Sequence, residues 1–394
     1  MIKLNICDLK EVKTGLLSQE NIKVMLNSCS ELACIYHSCN PVLLGSKALL
    51  KVNTIVGVSD DSQLDVELKK IRKIAQLAYA PDSMMDLSFA SLKKPLWKYM
   101  VNELGIPVGT LPHYYVFNQE TGIDKNALVE IIDEMGAYGV NFMTLHLTSI
   151  LRLLETARSC RKIPTTARGG RITLKDALIN KRENNIFIDN FDEILKLFLK
   201  YNITLSVGTT FRPARISEAL DLVQMEEIRL QSEYIAYAKS KGINVIMEGV
   251  GHLPLSRIQE YCSYIKPIKT PLMTLGPIPT DATIGFDHVS SAIGATVIAM
   301  HGNLGIINSV TREEHTGEIP NEDSIIEGLK SARVAAHLIN LTRFEKYRDI
   351  DDAIADNREL SKTCVVGGGI FNVTIPVKEG CDRCKHMCPL TAIY

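Results

Sequence analysis

The sequence lacks the features that would assign it to a membrane or to nucleic acid. No apolar run approaches the roughly 18 residues of a membrane span. The 44 basic and 45 acidic residues give a net charge of -1, so the basic surface of a nucleic-acid or anionic-membrane binder is not indicated. The first residues form no signal-peptide core, and we expect a cytoplasmic protein.

A fourth cysteine is missing from a run near the end of the chain. Cys381, Cys384 and Cys388 lie within CDRCKHMC, and no further cysteine follows. A structural zinc site and an electron-transfer iron–sulfur cluster each take four ligands. In a reducing compartment such thiols are expected as metal ligands rather than as disulfides. Cys364 is a candidate fourth ligand of a ferredoxin-like site, and His386 is a candidate fourth ligand of a zinc site.

Short β-branched runs alternate with amphipathic helical patterns from about residue 50 onward. This alternation, over roughly 250 residues or more, predicts an α/β fold with a (β/α)8 barrel of the TIM type. A doubly wound sheet is the alternative that periodicity does not exclude. The predicted strands cover residues 49–59, 83–88, 105–111, 140–147, 203–209, 243–249, 271–276 and 295–302.

Three regions follow from this pattern. We predict a small N-terminal helical segment over 1–45, the barrel with its substrate and metal site over 46–342, and a C-terminal helical arm with a CxxCxxxC tail over 343–394. The long helix near the end of the barrel is predicted to begin after Asn321. The side chain of Asn321 can cap the helix, and Glu322 and Asp323 lie in its first turn, where the helix dipole carries partial positive charge.

Polar residues interrupt the apolar pattern near the C-terminal ends of four predicted strands. They are Asp86, His146, Arg212 and Glu248. In a barrel these ends converge on one mouth, where active sites form. A single buried His or Glu is usually a hydrogen-bonded core residue. Four of them at equivalent strand ends favour a functional site.

Two histidines follow late strands. The glycines after Glu248 allow a tight turn that directs His252 over the mouth, and His315 lies on a comparable loop. Two histidines on neighbouring loops can share a metal whose shell is completed by water or substrate. The alternative is a pair of unrelated loop histidines, since a separation of 63 residues is not a motif.

Arginines next to glycines or to a strand end suggest an anion site. The stretches TTARGGR and GTTFRPAR supply four such candidates, Arg168, Arg171, Arg212 and Arg215. Exposed backbone N–H groups beside a guanidinium suit a phosphate. Solvated surface arginines are the competing explanation. A phosphorylated small substrate is the economical interpretation.

Nine ordered stretches carry a resemblance to a known family. They are MMDLS, PVGTLPHY, FMTLHL, ARGG, FRP, EGVGHLP, TLGPIPTD, GFDHVSSAIGA and VTREEHTGEIPNEDSI. Between about residues 50 and 342, and again at the cysteine tail, the chain resembles the thiamin-pyrimidine synthases, non-classical radical S-adenosylmethionine (SAM) enzymes, and their relatives the 5-hydroxybenzimidazole synthases.

The resemblance implies the chemistry of the tail and the partners of the protein. Cys381, Cys384 and Cys388 would hold a [4Fe–4S] cluster whose fourth iron binds SAM. One electron from a flavodoxin- or ferredoxin-type reductant would cleave SAM to methionine and a 5′-deoxyadenosyl radical. That radical would act on 5-aminoimidazole ribonucleotide. The family also implies a homodimer, or a heteromer with a paralogue, in which the arm reaches the partner's barrel.

The resemblance also assigns roles to individual positions. It implies that His252 and His315 bind a divalent metal, zinc or iron, and that Glu248 and His146 take catalytic positions. The substrate contacts that it implies are Asn53, Met85, Tyr114, His146, Arg168, Gly169, Thr209, Thr210, Arg212 and Glu248.

Several positions depart from the pyrimidine synthases. Ile55 replaces the second Asn of N-x-N-I-G, Met273 replaces the Tyr before T-L-G-P, and Thr209-Thr210-Phe211 replaces D-G-L before the arginine. The cysteine run is C-x2-C-x3-C, where the family usually has C-x2-C-x4-C. Each lost hydrogen-bond partner costs about 1–3 kcal/mol in a site built for it.

These departures favour a divergent radical SAM carbon–carbon lyase of the 5-hydroxybenzimidazole type, which makes the lower-ligand base of cobamides. Synthesis of the thiamin pyrimidine from the same substrate is the alternative. A barrel without catalytic activity that supports a partner, and a structural or electron-transfer protein with a closed iron–sulfur or zinc site, belong to other classes.

Overall fold

The computed structural model describes residues 22, 25–26, 28–89, 94–375, 383–384 and 387–390. Cys381 and His386 lie outside the described residues. In chain order the strands are β1 Ala33–Ile35, β2 Val42–Leu44, β3 Lys51–Val56, β4 Ser83–Asp86, β5 Val108–Thr110, β6 Phe117–Asn118, β7 Gly122–Ile123, β8 Phe142–Leu145, β9 Thr204–Val207, β10 Val245–His252, β11 Leu272–Ile278 and β12 Leu304–Asn308.

Helices alternate with most of these strands. They are α1 Leu64–Ala75, α2 Leu96–Glu103, α3 His113–Val116, α4 Lys125–Tyr138, α5 Leu151–Cys160, α6 Arg168–Ile179, α7 Ile186–Asp189, α8 Phe191–Tyr201, α9 Leu222–Ser240, α10 Ile258–Ile265, α11 Asp287–His301, α12 Glu322–Arg343 and α13 Asp349–Leu360. No helix among the described residues is long and apolar enough to cross a membrane.

Eight parallel strands close into one barrel in the order β3, β4, β5, β8, β9, β10, β11 and β12, and β12 pairs with β3. This confirms the (β/α)8 expectation and excludes the open doubly wound sheet. The interior is packed tightly. The ring of Phe142 on β8 fills the space where a Cβ on Gly109 of β5 would lie, so β5 needs a glycine there.

The eighth strand was placed wrongly by the sequence pattern. Residues 295–301 belong to α11, Gly302 follows the helix, and the eighth barrel strand is β12, Leu304–Asn308. The segment ATVIAM is apolar because one face of α11 packs against the barrel, where Ala295 and Ile298 have no exposed surface. A short apolar run of this kind does not distinguish a buried helix from a strand.

The N-terminal segment also differs from its helical prediction. Within 1–45, β1 and β2 form an antiparallel pair, with Ala33 opposite Leu44. The side chains of Cys34 and Leu43 pack in a small apolar cluster outside the main core. The pair lies beside the N-terminal end of the barrel, where Thr204 donates to the carbonyl of Cys34. The domain boundaries themselves remain predictions.

A buried ionic network joins strands at the N-terminal end of the barrel. Asp82 accepts hydrogen bonds from Arg333 Nη1 at 2.6 Å and from the backbone of Val52 at 2.9 Å, and Lys51 Nζ lies 3.4 Å away. Burial alone would raise the pKa of Asp82, but Arg333 and Lys51 outweigh it and hold the pKa well below its usual range. The network ties α12 to β3 and β4.

The helix α12 begins after Asn321, as predicted. Asn321 caps α12 by accepting a hydrogen bond from the backbone of Ser324, with Glu322 and Asp323 in the first turn. Beyond α12, the predicted helical arm contains α13, all of whose residues are at least partly exposed. The ring of Phe371 contacts Tyr79 edge-on at 5.0 Å, near the N-terminal end of β4.

Candidate functional site

A cavity of about 600 Å³ opens at the C-terminal ends of the strands. This is the end at which (β/α)8 barrels place their active sites. The structure brings most of the predicted site residues together in its wall. Those that line it are Met85, Tyr114, His146, Arg168, Gly169, Arg212 and Glu248.

Glu248 is held by hydroxyl groups on the two preceding strands of the barrel. Thr144 Oγ1 donates to Glu248 Oε1 at 2.7 Å, and Ser206 Oγ donates to the same oxygen at 3.2 Å. Thr144 and Ser206 are cross-strand partners in β8 and β9, so both point to the same interior side as Glu248. Both donors use Oε1, which leaves Oε2 for a ligand.

His146 is a buried, neutral imidazole. Burial lowers its pKa well below the usual range, and the nearby His113 and Arg212 lower the pKa further. Its Nε2 lies 2.5 Å from the position that a Cβ on Gly169 would occupy. A side chain at residue 169 is therefore excluded, and the first turn of α6 approaches His146 through bare backbone.

His113 was missed by the sequence analysis, although it lies in the quoted stretch PVGTLPHY. Its ring is buried against His146 at 5.9 Å and Tyr114 at 5.0 Å between ring centroids. Its Nε2 lies 3.2 Å from the carbonyl oxygen of Gly169, so the neutral ring with its proton on Nε2 donates there. Burial lowers the pKa of His113 to about 3. His113 thus supports the first turn of α6 through this hydrogen bond.

The start of α6 forms the cationic side of the cavity. Ala167 occupies the N-cap position and provides no side-chain cap, while the helix N-terminus carries partial positive charge. The Arg168 guanidinium carbon lies 6.0 Å from the centre of the Tyr114 ring. Arg212 reaches the same cavity, and its Nε is buried without a hydrogen-bond partner in the described structure. These donors suit an anionic group.

Three predicted substrate contacts lie behind the cavity wall. The Asn53 amide bonds to Asn308 at 2.8 Å and to Ser83 at 2.7 Å. Thr210 Oγ1 bonds to Ser149 Oγ at 2.6 Å, and its backbone N–H donates to buried Glu227. Thr209, also buried, is likewise absent from the cavity lining. Their predicted contact with substrate remains untested, and their observed contacts are structural.

The strand-end residue Asp86 does not face the cavity. Its carboxylate accepts hydrogen bonds from the backbone N–H groups of Ser88 at 2.7 Å and Trp97 at 3.0 Å, and from the hydroxyl of Tyr115. Burial raises the pKa of Asp86, and these hydrogen bonds oppose the rise. Asp86 therefore organises the loops after β4 and β5 rather than a ligand.

The two predicted metal histidines meet at the mouth. The ring centroids of His252 and His315 are 5.0 Å apart. His252 Nδ1 bonds to Asp281 at 2.6 Å, and His315 Nδ1 bonds to Asp287 at 2.7 Å. Carboxylates commonly orient metal-binding histidines through one ring nitrogen and leave the other for the metal.

Local backbone geometry places His252. Strand β10 does not end at Glu248 but continues to His252, with an irregular register between Val250 and His252. Val250 and Gly251 have φ values of 81° and 95°. This bulge turns the strand end toward the mouth. Within the described ranges, no group of three or more His, Cys, Asp or Glu side chains is arranged as a metal site.

The cysteine tail is described only in part. Cys384 is partly exposed and forms no disulfide among the described residues, and Cys388 is buried. Cys364, the candidate fourth ligand of a closed site, is exposed. Cys381 lies outside the described residues, so the arrangement of the three thiols stays a prediction.

An apolar side faces the arginines. Ile55 and Met85 are cross-strand partners in β3 and β4, and both line the cavity with Leu275 and Met273 of β11. Asn308 lies in the same wall and was not singled out from the sequence. One cavity therefore combines an anion-binding side, a fixed carboxylate and an apolar patch, and the segments that follow β3 and β12 add charged side chains such as Glu67, Lys70 and Glu313 to its lining.

The fold is a (β/α)8 barrel, and the cavity at its mouth offers donors for an anionic group beside a carboxylate and an apolar patch. The sequence profile of the Radical SAM ThiC family matches residues 22–365. The chain belongs to this family. Membership implies a [4Fe–4S] cluster, SAM, an external reductant and a substrate that resembles 5-aminoimidazole ribonucleotide.

Two relatives that are named phosphomethylpyrimidine synthases support the same assignment. The chain is 33% identical to a phosphomethylpyrimidine synthase of Carboxydothermus hydrogenoformans, over 78% of this chain and 73% of the relative. It is 30% identical to a phosphomethylpyrimidine synthase of Archaeoglobus fulgidus, over 90% and 86% of the two chains. Among solved structures, a dihydropteroate synthase of Xanthomonas albilineans aligns with 76% of this chain and 95% of its own, at 10% identity and a TM-score of 0.44.

The buried state of His113 predicts an acid-dependent loss of stability. Its folded pKa, about 3, lies below the ordinary value of 6.5, so unfolding takes up a proton below pH 6.5. The contribution is intact at neutral pH and is lost as the pH falls from about 6.5 towards 3. His113→Gln keeps a donor for Gly169 but does not titrate. We expect the free energy of unfolding of the unsubstituted protein to fall faster than that of H113Q, by about 1.4 kcal/mol per pH unit.

Denaturant unfolding at pH 7, 5.5 and 4.5 measures this difference. His301→Gln, at an exposed histidine, is the matched control and should keep the slope of the unsubstituted protein. Parallel pH profiles for H113Q and the unsubstituted protein would contradict the buried neutral assignment.

Proposed function

We propose that the protein is a radical SAM lyase that converts 5-aminoimidazole ribonucleotide to 5-hydroxybenzimidazole. The observation that carries the proposal is the composition of the cavity wall: arginines and a helix N-terminus on one side, a fixed carboxylate, and an apolar surface opposite. Family membership supports the radical chemistry and a ribonucleotide-like substrate.

The phosphate of the ribonucleotide would bind at the start of α6. Arg168 and the unpartnered Nε of Arg212 offer charged donors, and the first backbone N–H groups of α6 are uncapped by any side chain. A phosphate next to a helix N-terminus is stabilised by both the N–H groups and the helix dipole. Gly169 lets these groups approach the ligand closely.

Glu248 and His146 would act on the sugar and the base. The Oε1 atom of Glu248 is held by Thr144 and Ser206, so the free Oε2 can accept a hydrogen bond from a ribose hydroxyl or take up a proton. The depressed pKa of His146 keeps the imidazole neutral at physiological pH, so it can donate or accept a hydrogen bond without adding charge.

The tail cysteines are the expected ligands of the cluster. Cys384 forms no disulfide among the described residues, so its thiol is available as a thiolate ligand. Together with Cys381 and Cys388 it would leave one iron for SAM, and the cluster with SAM would supply the 5′-deoxyadenosyl radical. The barrel residues would bind and orient the ribonucleotide.

Two observations bear on the product. Ile55 and Met273 make the wall apolar at positions where the pyrimidine synthases carry Asn and Tyr, and such a wall suits an aromatic bicyclic product. The identity of 33% and 30% to phosphomethylpyrimidine synthases favours the second candidate, the thiamin pyrimidine made from the same substrate. We place 5-hydroxybenzimidazole first because the wall differs where the product would lie.

Anaerobic turnover tests the proposal. Reconstituted protein would be incubated with 5-aminoimidazole ribonucleotide, SAM and a strong reductant, with and without a paralogous chain, and the products identified by mass spectrometry. We expect 5′-deoxyadenosine together with 5-hydroxybenzimidazole; phosphomethylpyrimidine would establish the second candidate instead. Cys384→Ala should abolish 5′-deoxyadenosine, while Cys160→Ala, at an exposed cysteine on α5, should not.

The spectrum of the reduced cluster separates this function from a closed iron–sulfur site. Electron paramagnetic resonance should change when SAM is added, because SAM binds the open iron. A spectrum that ignores SAM, combined with no turnover, would rule out the radical proposal and favour an electron-transfer or structural role.

A fixed orientation of Glu248 should be needed for turnover. Thr144→Val removes the 2.7 Å hydrogen bond at nearly constant volume, while Thr144→Ser keeps a hydroxyl. A hydrogen bond to a charged group contributes about 1.5–3 kcal/mol, so kcat/KM should fall about 10- to 100-fold in T144V. T144S should retain most of the activity. Equal activity in T144V and T144S would remove the positioning role.

We also propose that His252 and His315 bind one divalent metal through the ring nitrogens that Asp281 and Asp287 leave free. His315→Ala should lower the metal content of the purified protein, measured by mass spectrometry, by about one equivalent per chain. The midpoint temperature of thermal unfolding should shift by no more than a few degrees. His301→Ala is the control. An unchanged stoichiometry in H315A would argue against the site.

A further inference from the structure

Asn308 is a polar group in the cavity wall to which neither the family resemblance nor the sequence motifs assign a role. It ends β12, and only 7% of its surface is exposed. A buried carboxamide in an apolar wall is costly unless its polar atoms are satisfied. One of them is: Asn308 Oδ1 accepts a hydrogen bond from Asn53 Nδ2 at 2.8 Å.

Asn53 is fixed in turn by the next strand. Ser83 Oγ donates to Asn53 Oδ1 at 2.7 Å. Asn308, Asn53 and Ser83 are register partners on β12, β3 and β4, so the three side chains point to the same side of the sheet. The backbone N–H of Ser309 also donates to the carbonyl of Asn53, at 2.8 Å. The ladder orients the Asn308 amide.

This orientation leaves one donor for a ligand. Because the oxygen of Asn308 is occupied by Asn53, its Nδ2 is the group available to the cavity. No described protein atom accepts a hydrogen bond from it. Rotating the Asn308 amide alone by 180° would place two NH2 groups against each other and lose the 2.8 Å bond, so the orientation of Asn308 follows from that of Asn53, whose oxygen accepts from Ser83. A ligand atom that accepts a hydrogen bond would satisfy the Nδ2 donor of Asn308.

The position of Asn308 indicates which part of the ligand it faces. In the closed order of eight strands, β12 lies four strands from β8, which carries Thr144 and leads into His146. The arginine side and Asn308 therefore lie across the cavity from each other. On the adjacent strands, Met273 of β11 pairs with Ile306, two residues before Asn308, and Ile55 of β3 lies two residues after Asn53; both line the cavity. Apolar surface on both sides of an amide donor suits a flat heteroaromatic ring with an acceptor nitrogen at its edge.

We propose that Asn308 recognises the base of the ribonucleotide, with its Nδ2 donating to the unsubstituted ring nitrogen of the imidazole, and that Asn53 is a positioning residue that acts through Asn308. This inference rests on the proposed function. It changes the role of Asn53 from a direct substrate contact to a support of one, and it adds a specificity residue on β12.

Binding without turnover tests the inference. Calorimetry on the anaerobically reconstituted protein, without reductant, would compare 5-aminoimidazole ribonucleotide with ribose 5-phosphate, which keeps the phosphate and sugar but has no base. Asn308→Ala should weaken binding of the ribonucleotide about tenfold, the effect of one hydrogen bond of about 1.4 kcal/mol, and leave ribose 5-phosphate within about twofold. Asn308→Asp, which is isosteric but lacks the donor, should weaken the ribonucleotide at least as much.

The role of Asn53 has its own readout. Asn53→Ala should weaken the ribonucleotide but not ribose 5-phosphate, and N53A/N308A should bind no worse than N308A alone, because both changes remove the same contact. Additive losses in the double variant would refute positioning through Asn308. Retained ribose 5-phosphate binding shows that each variant is folded. If N308A does not fold, N308D takes its place in the comparison.

The outcomes separate the inference from the proposed function. If the unsubstituted protein binds no ribonucleotide, the proposed function fails and the inference falls with it. If it binds the ribonucleotide and N308A and N308D bind it equally well, only the inference is overturned. An equal loss for both ligands in a variant whose thermal unfolding is unchanged would likewise overturn base recognition, since it would place Asn308 at the sugar or phosphate.

Discussion

The whole site depends on the close approach of one helix to the barrel. The first turn of α6 enters the mouth as bare backbone because Gly169 and Gly170 lie where a Cβ would overlap His146 and Thr210. That approach sets Arg168 at the cavity, presents the uncapped N-terminus of the helix, and buries His146 deeply enough to keep it neutral. Anion binding and the protonation state of the histidine thus share one steric origin.

Two hydrogen-bonded ladders use the register of the parallel strands in the same way. Thr144 and Ser206 on β8 and β9 fix Glu248 on β10, and Ser83 and Asn53 on β4 and β3 fix Asn308 on β12. In each ladder, side chains from adjacent strands restrict a group that would otherwise rotate. Polar groups inside a barrel are costly unless satisfied, so the supporting residues stabilise the fold and orient the site together.

Sequence reasoning predicted the barrel and most of the cavity, and its failures have physical causes. Seven predicted strands correspond to barrel strands, and the residues matched through the family's motifs largely line one cavity. The eighth strand was misplaced because a buried helix and a strand share apolar, β-branched composition, and Asn308 was overlooked with it. His113 could not be found from pattern alone, since one histidine next to an apolar strand gives no signal of its packing. The contacts of Asn53 depend on strand register, which periodicity does not provide.

The buried charges of Lys51, Asp82 and Arg333 sit at the end of the barrel away from the cavity. Their distance from the ligand-facing wall means that a change in this network alters the free energy of unfolding without moving a group that faces the ligand. Descendants of this chain could therefore adapt to a hotter habitat by altering this end of the barrel while the chemistry at the other end stays as it is.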